Sequence, residues 1–139
     1  MCIRDRVLIS PILVLLLLGA GDFGRVLYWS ITLAQSARAG AQYGAQSSAA
    51  AANSTGIQQA ALQDGQNITA LGGTITVTSS RYCQCEGGGA VVNCADNDCA
   101  GAPEVYVEVT ATTTFKTLFP YPGIPNTVNL SNTATLRLQ

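Results

Sequence analysis

Four cysteines lie within 17 residues of one another, and thiols clustered in this way can bind a metal ion or form disulfides. They are Cys83, Cys85, Cys94 and Cys99, in the pattern C-x-C, eight residues, C-x4-C. Zinc ribbons use C-x2-C pairs, so the spacing favours two disulfides over a metal centre. Four cysteines can pair in three ways, and a hairpin that turns over the glycines after Cys85 would nest the pairs as Cys83–Cys99 and Cys85–Cys94.

The other residue types that catalysis needs are absent from the sequence or scattered along it. The chain has no histidine, which excludes Ser-His and Cys-His nucleophile pairs and histidine-ligated metals. Its acidic residues form no paired-carboxylate pattern, and the run Asp96–Asp98 lacks the later ligands of an EF-hand loop. We therefore expect no enzyme activity, no catalytic residue, no cofactor, no metal and no small-molecule substrate.

Charge and hydropathy exclude two further classes of protein. Of the 139 residues only 11% are charged, seven are Lys or Arg, and the net charge is −1. Seven scattered cations cannot form a patch that follows a phosphate backbone, so no nucleic-acid partner is expected. With 47% hydrophobic residues, the chain is also too apolar to remain disordered.

Much of the apolar character lies near the N-terminus. Val7–Gly21 carries no charge, and as a helix it would cover about 22 Å of a bilayer core that is roughly 30 Å thick. Tyr28 and Trp29 extend the run and stand where an interfacial aromatic belt would lie. Arg4 and Arg6 precede it, which predicts a membrane helix with a cytoplasmic N-terminus and lipid as a partner. A cleaved signal peptide is the alternative.

Residues 22–46 predict a helix that continues out of the membrane. An apolar stripe recurs every three or four residues, at Phe23, Leu27, Ile31, Ala34, Ala37, Ala41 and Ala45. Beside it, Ser36, Gly40 and Gly44 are four residues apart, and small residues at this spacing let two helices approach closely. The partner helix either belongs to the same chain or to another subunit, and the sequence leaves both open.

The remaining two-thirds of the chain predicts a small α+β fold. A helix capped by Ser54 or Thr55 is expected to end near Gly65. Three strands that alternate apolar and polar residues follow, at Thr74–Ser80, Glu104–Phe115 and Thr127–Leu138. Such alternation indicates an antiparallel sheet with one solvated face, and the long helix is the natural cover for its apolar face. The proline-rich stretch 119–125 is either a stiff connector or a binding loop.

The N-terminal motif as a whole resembles a known family. An apolar run containing Pro11 is followed by Asp22-Phe23-Gly24-Arg25, by Tyr28-Trp29, and by the small-residue segment Ala37-Arg38-Ala39-Gly40-Ala41. Over Val7–Gln46 this order resembles the TadE-like family, the pilin-like proteins of tight-adherence pilus assembly, in which Glu is more usual at the place of Asp22. The resemblance implies a pilin-like fold, in which a long N-terminal membrane helix packs on a small antiparallel sheet. Here the sheet would carry the cysteine-rich loop.

The first six residues depart from the family pattern. Family members usually have a Gly-containing leader junction and then a Glu just before the apolar run, whereas Met1–Arg6 has neither. The hexapeptide resembles translated adapter sequence at the edge of a sequencing contig. We therefore expect the native N-terminus to be missing, name no processing site, and set Cys2 aside.

Asp22 and Arg25 stand three residues apart at the edge of the apolar run, so they can pair on one helix face. They either mark the membrane surface or bridge adjacent helices during assembly. Together with Ser36, Gly40 and Gly44, they are the residues predicted to serve helix assembly and the membrane boundary.

The sequence thus predicts two regions, a transmembrane and spine helix at 1–52 and an extracytoplasmic α+β domain at 53–139. The resemblance implies a structural minor pilin or pseudopilin that helps to assemble a tight-adherence pilus, with other pilins or assembly proteins as partners. A membrane-tethered binding or adhesion module is the alternative. The predicted location is the bacterial inner membrane, crossed once, and a pilin can also enter a surface pilus.

Overall fold

The computed structural model describes residues 3–87, 89–94, 99, 101, 103–119, 123 and 125–138. Cys2, the run Asp96–Asp98 and most of the proline-rich stretch 119–125 lie outside these residues. Within the described part, a long helix and three short helices are followed by strands that form a single antiparallel sheet. The predicted α+β class is confirmed.

The first helix, α1, runs without a break from Ile3 to Gly44 and is about 63 Å long at 1.5 Å per residue. Almost all of its side chains between Ile9 and Gly21 are exposed, whereas one face is buried from Asp22 onward. The helix is long and apolar enough to cross a membrane, and the rest of the chain buries little of the apolar stretch. The predicted continuation of the apolar run into a spine is confirmed.

Three short helices follow, α2 (Ser48–Ala52), α3 (Ser54–Asp64) and α4 (Gln66–Ala70). Asn53 caps α3, because its side-chain oxygen accepts a hydrogen bond from the Gly56 N–H at 3.0 Å. The predicted cap at Ser54 or Thr55 is therefore wrong, since both residues already lie in the first turn, where their own backbone is helical. The predicted end of this helix near Gly65 is confirmed.

The four strands are β1 (Ile75–Gln84), β2 (Val91–Val92), β3 (Glu104–Lys116) and β4 (Thr127–Arg137). They lie in the order β2-β1-β3-β4, and every neighbouring pair is antiparallel. The three long strands are the predicted ones, although β1 extends to Gln84 instead of ending at Ser80. The short strand β2 was not predicted, because two residues are too few to show alternation.

The apolar face of the sheet packs on α1 and α3. Its inward residues alternate along β3 from Val107 to Phe115, as predicted. Gly44 of α1 packs against Val107, and Gly40 packs against Val109, two residues further along β3. Strand β3 therefore runs antiparallel to α1 and returns toward the apolar half of the helix.

Two parts of the molecule follow from this packing. We call Ile9–Gly21 the protruding helix, since the sheet and the short helices do not cover it. We call the remainder from Asp22 onward the head, which consists of the spine half of α1, the three short helices and the sheet. The predicted layout of a long helix packed on a small sheet is confirmed.

Candidate functional site

A buried carboxylate holds the junction between the protruding helix and the head. Asp22 is only 5% exposed, and its Oδ1 lies 3.0 Å from Nη1 of Arg25. Its two oxygens also accept hydrogen bonds from the backbone N–H of Leu118, at 3.2 and 3.4 Å. A buried charge is tolerated when it is paired and hydrogen-bonded, as it is here. Asp22 thus ties the chain that leaves β3 to the point where α1 enters the head.

Two aromatic rings extend this junction into the core. The guanidinium carbon of Arg25 lies 5.1 Å from the centroid of the Phe115 ring, which is within range of a cation–π contact. Trp29 packs edge-on against the same ring, with the centroids 5.2 Å apart. Asp22, Arg25 and Trp29 are three and four residues apart, so they share one helix face. The motif of acid, arginine and tryptophan therefore forms one cluster on β3.

Trp29 does not lie in an interfacial belt, and that expectation is wrong for it. The side chain is 4% exposed, because it follows Asp22 by two helical turns and so faces the head. Tyr28 points away from the head and is exposed, and its interfacial role stays a prediction. Phe115 and Leu118 were not predicted as partners of the charged pair. The alternation along β3 predicted that Phe115 faces inward, but no local sequence signal relates Phe115 to Arg25.

The small residues of α1 contact the same chain. Ser36 Oγ donates to the carbonyl oxygen of Ala61 in α3 at 2.7 Å. A Cβ atom at Gly40 would lie 3.1 Å from the Ala61 Cβ, and one at Gly44 would lie 2.9 Å from Val107 Cγ1. The structure thus contains the first of the two alternatives, a helix packed on its own head. The role of these residues between subunits stays a prediction.

Gly44→Ala is expected to destabilise the head by about 1–3 kcal/mol, because the new methyl group would overlap the Val107 side chain. The matched control is Gly24→Ala on the same helix, where nothing lies within 4 Å of the added carbon. That change is expected to be neutral or to stabilise the helix by roughly 0.5–1 kcal/mol. Thermal unfolding of the full chain in detergent compares the two variants. Equal melting temperatures would contradict the close approach at Gly44.

The apolar stripe that was predicted along α1 is not buried as a unit. Phe23, Leu27 and Ile31 are exposed, whereas Ala37 and Ala41 are fully buried. The reason is that α3 covers only part of α1. Its contacts begin near Ser36, at Ala61, and continue toward the C-terminal end of α1. Nearer the protruding helix, the same side of α1 has no cover from the described part of the chain.

The four cysteines form two disulfides, Cys83–Cys94 and Cys85–Cys99, with Cα atoms 5.1 and 5.3 Å apart. The prediction of two disulfides is confirmed, but the nested pairing is wrong. The reason is the register of β1 and β2, in which Cys83 lies opposite Val92. Cys94 follows Val92 by two residues and is a diagonal neighbour of Cys83. Cys85 is one residue past the end of β1, and it is displaced from Cys83 in the direction away from Cys94, so Cys83 is the nearer partner for Cys94.

The solvent face of the sheet carries hydroxyls and one charged cluster. The Tyr106 hydroxyl donates to Glu104 at 2.7 Å, and Glu104 pairs with Arg137 of β4. The pKa of Tyr106 is raised above the ordinary value of 10.0, mainly by the hydrogen bond to Glu104. Partial burial raises this pKa further. Tyr82 stacks on Tyr106, with the ring centroids 5.5 Å apart. This cluster orders the far end of the sheet.

An open groove of about 560 Å³ lies beside the nearer end of the same face. Threonines, with glycines, an asparagine, a serine and a leucine, line it, and none of the lining side chains titrates. Within the described residues, no group of three Cys, Asp or Glu side chains is close enough to hold a metal ion. The chemistry available at this groove is hydrogen bonding by hydroxyl, amide and backbone groups.

Comparisons with known proteins bear on α1 alone. No curated protein and no solved structure matches the chain. One family model matches a segment of α1 that contains the Asp22–Arg25 pair, Trp29, Ser36 and Gly40, all of which contact other elements of the head. Over residues 7–42 the chain matches the family model described as TadE-like protein, which confirms the resemblance predicted from the sequence motif.

Proposed function

We propose that the protein is a structural minor pilin or pseudopilin that helps to assemble a tight-adherence (Flp-type) pilus. The observation that carries this proposal is the protruding helix, which continues as the spine of the head and lies in the segment that matches the TadE-like family. An exposed apolar helix of this length needs lipid or other helices around it. A pilus subunit has lipid around this helix while it is in the membrane, and the helices of other subunits around it after assembly.

The disulfides support an orientation. Disulfides persist in oxidising compartments, so the head is proposed to lie outside the cytoplasm. The protruding helix then crosses the inner membrane once, with the N-terminus in the cytoplasm. The regions 1–52 and 53–139 are proposed as the membrane and spine helix and the extracytoplasmic domain.

The proposed partners are membrane lipid and other pilins or assembly proteins of the tight-adherence system. Contacts within the chain support a positioning role for Asp22 and Arg25, because they hold the head at a fixed place on α1. Neighbouring subunits would then meet the opposite side of the helix, where Phe23, Leu27 and Ile31 are exposed. Ser36, Gly40 and Gly44 would serve assembly indirectly, because they pack α1 on α3 and β3 within the head.

Removing the gene from its host is expected to abolish or strongly reduce Flp-type pili, because an assembly subunit would be missing. Re-expression of the full chain should restore them, and sheared pili measured by immunoblot and electron microscopy give the readout. Ile31→Asn is expected to lower piliation, while Gln35→Asn, on an exposed position one turn later, should not. Normal piliation in the deletion strain would overturn the proposal.

A membrane-tethered binding module is the second candidate, and the position of the disulfides favours it. Cys83 lies opposite Val105, ten residues before Phe115 on β3, so the bridged hairpin is about 33 Å from the junction. A stiff hairpin with an exposed Val91 at the far end of the head is suited to contact another surface. Val91→Asp with lost adhesion and normal piliation would favour this module, whereas unchanged adhesion favours the pilus subunit.

A further inference from the structure

Exposed apolar side chains lie at the end of the head where α1 leaves it. Leu118 and Phe119, just after β3, are 63% and 46% exposed, and Phe23 of α1 is 64% exposed. We call Leu118 and Phe119 the basal tip. Large apolar side chains grouped at one end of a protein commonly mark an interaction surface.

The level of the basal tip along α1 is set by a hydrogen bond. The Leu118 N–H donates to Asp22, and Asp22 is the first charged residue after the uncharged run Val7–Gly21. Charged residues are costly inside the hydrocarbon core, so a spanning helix leaves the core near such a residue. When α1 spans a bilayer, the basal tip therefore lies at the bilayer surface.

The charges around the basal tip are suited to that place. Arg25 is partly exposed beside it, and Lys116 is exposed two residues before Leu118. The acid at this end, Asp22, is buried and paired with Arg25. Glu108, the next acidic residue back along β3, is seven residues before Phe115. Its carboxylate is therefore about 23 Å along the strand from this end and does not offset these cations. Cations behind an apolar tip are typical of segments that bind anionic lipid surfaces.

We propose that the base of the head is a lipid-binding surface, in which Leu118 and Phe119 enter the leaflet on the side of the head. Lys116 and Arg25 lie among the headgroups, and their stems extend along the apolar layer. The proposal rests on the membrane span that the proposed function includes. Its consequence is a second attachment point besides α1, which limits how far α1 and the head packed on it can tilt together relative to the bilayer.

The test uses the full-length chain in vesicles of phosphatidylethanolamine and phosphatidylglycerol with brominated acyl chains, which quench nearby tryptophan. Phe119→Trp introduces the probe, and Val91→Trp at the far end of the head is the matched control. The unmodified chain, which has a single tryptophan, supplies the signal to subtract. Phe119→Trp is expected to be quenched and blue-shifted, while Val91→Trp keeps its emission. Adding Leu118→Asp to Phe119→Trp should remove the quenching while circular dichroism stays unchanged.

Vesicle flotation separates the ways in which the proposal can fail. A chain that floats with the vesicles but shows no more quenching at position 119 than at position 91 would overturn the lipid-binding surface alone. A blue shift at 119 without quenching, which grows with the protein-to-lipid ratio, would assign the tip to a contact with another copy of the chain and also overturn it. A chain that does not float would overturn both this proposal and the membrane location in the proposed function.

Discussion

Phe115→Ala is expected to lower the unfolding free energy of the head by about 3–5 kcal/mol. The ring projects from β3 toward α1 and is fully buried. It contacts the Trp29 ring and the Arg25 guanidinium. Alanine would remove both contacts and leave a cavity at the junction with the protruding helix. Because a domain is typically stable by only about 5–15 kcal/mol, this one change would remove a large share of the total.

Denaturant unfolding of the full-length chain in detergent micelles measures this effect. Trp29 is the single tryptophan of the chain, so its fluorescence reports on the cluster around Phe115. Leu62→Ala is the control, since Leu62 is an exposed apolar residue of α3 outside the basal tip. The control is expected to change stability by no more than about 0.5 kcal/mol. If both variants unfold at the same denaturant concentration, the ring does not join the helix to the sheet as described.

Loss of the Cys83–Cys94 disulfide is expected to cost about 2–4 kcal/mol, because it releases a loop in the unfolded chain. Loss of Cys85–Cys99 is expected to cost less, although its loop is longer. The two loops differ by roughly 0.2 kcal/mol in closure entropy, which is too little to decide the order. Burial decides it, since Cys83 is fully buried in the head, whereas Cys85 is partly exposed.

The comparison uses two double variants, Cys83→Ala with Cys94→Ala and Cys85→Ala with Cys99→Ala, unfolded under oxidising conditions. A larger loss for the second pair would contradict the role of burial. The pairing itself is checked by partial reduction, differential alkylation and mass spectrometry of the native chain. Recovery of Cys83 bonded to Cys99 would show that the strand register is different from the one described.

Much of the fold was predictable from the sequence, because its elements are specified by local periodicity. Strand β3 begins at Glu104 as predicted and ends one residue later than predicted, and β4 begins at Thr127 as predicted. Alternation with a period of two residues appears in any window of six or more, so these strands needed no knowledge of their neighbours. The same holds for α1, whose apolar run and spine form one helix.

The candidate site was predictable only on the helix. Asp22 and Arg25 are close in the sequence, so their pairing follows from the helical repeat. Their other partners, Leu118 and Phe115, are distant in the sequence, and no spacing rule connects them to α1. The burial of Trp29 was missed for the same reason, since it depends on which face of α1 the sheet covers.

The sequence by itself determined the type of each long element, the inward face of β3, the presence of two disulfides and the TadE-like motif. Only the tertiary structure decided how the cysteines pair, that the small residues of α1 contact α3 and β3, and that Leu118 is tied to Asp22. The physical reason is the range of the interactions. Helical and strand periodicity act between residues a few positions apart, whereas strand register and helix packing depend on contacts between distant parts of the chain.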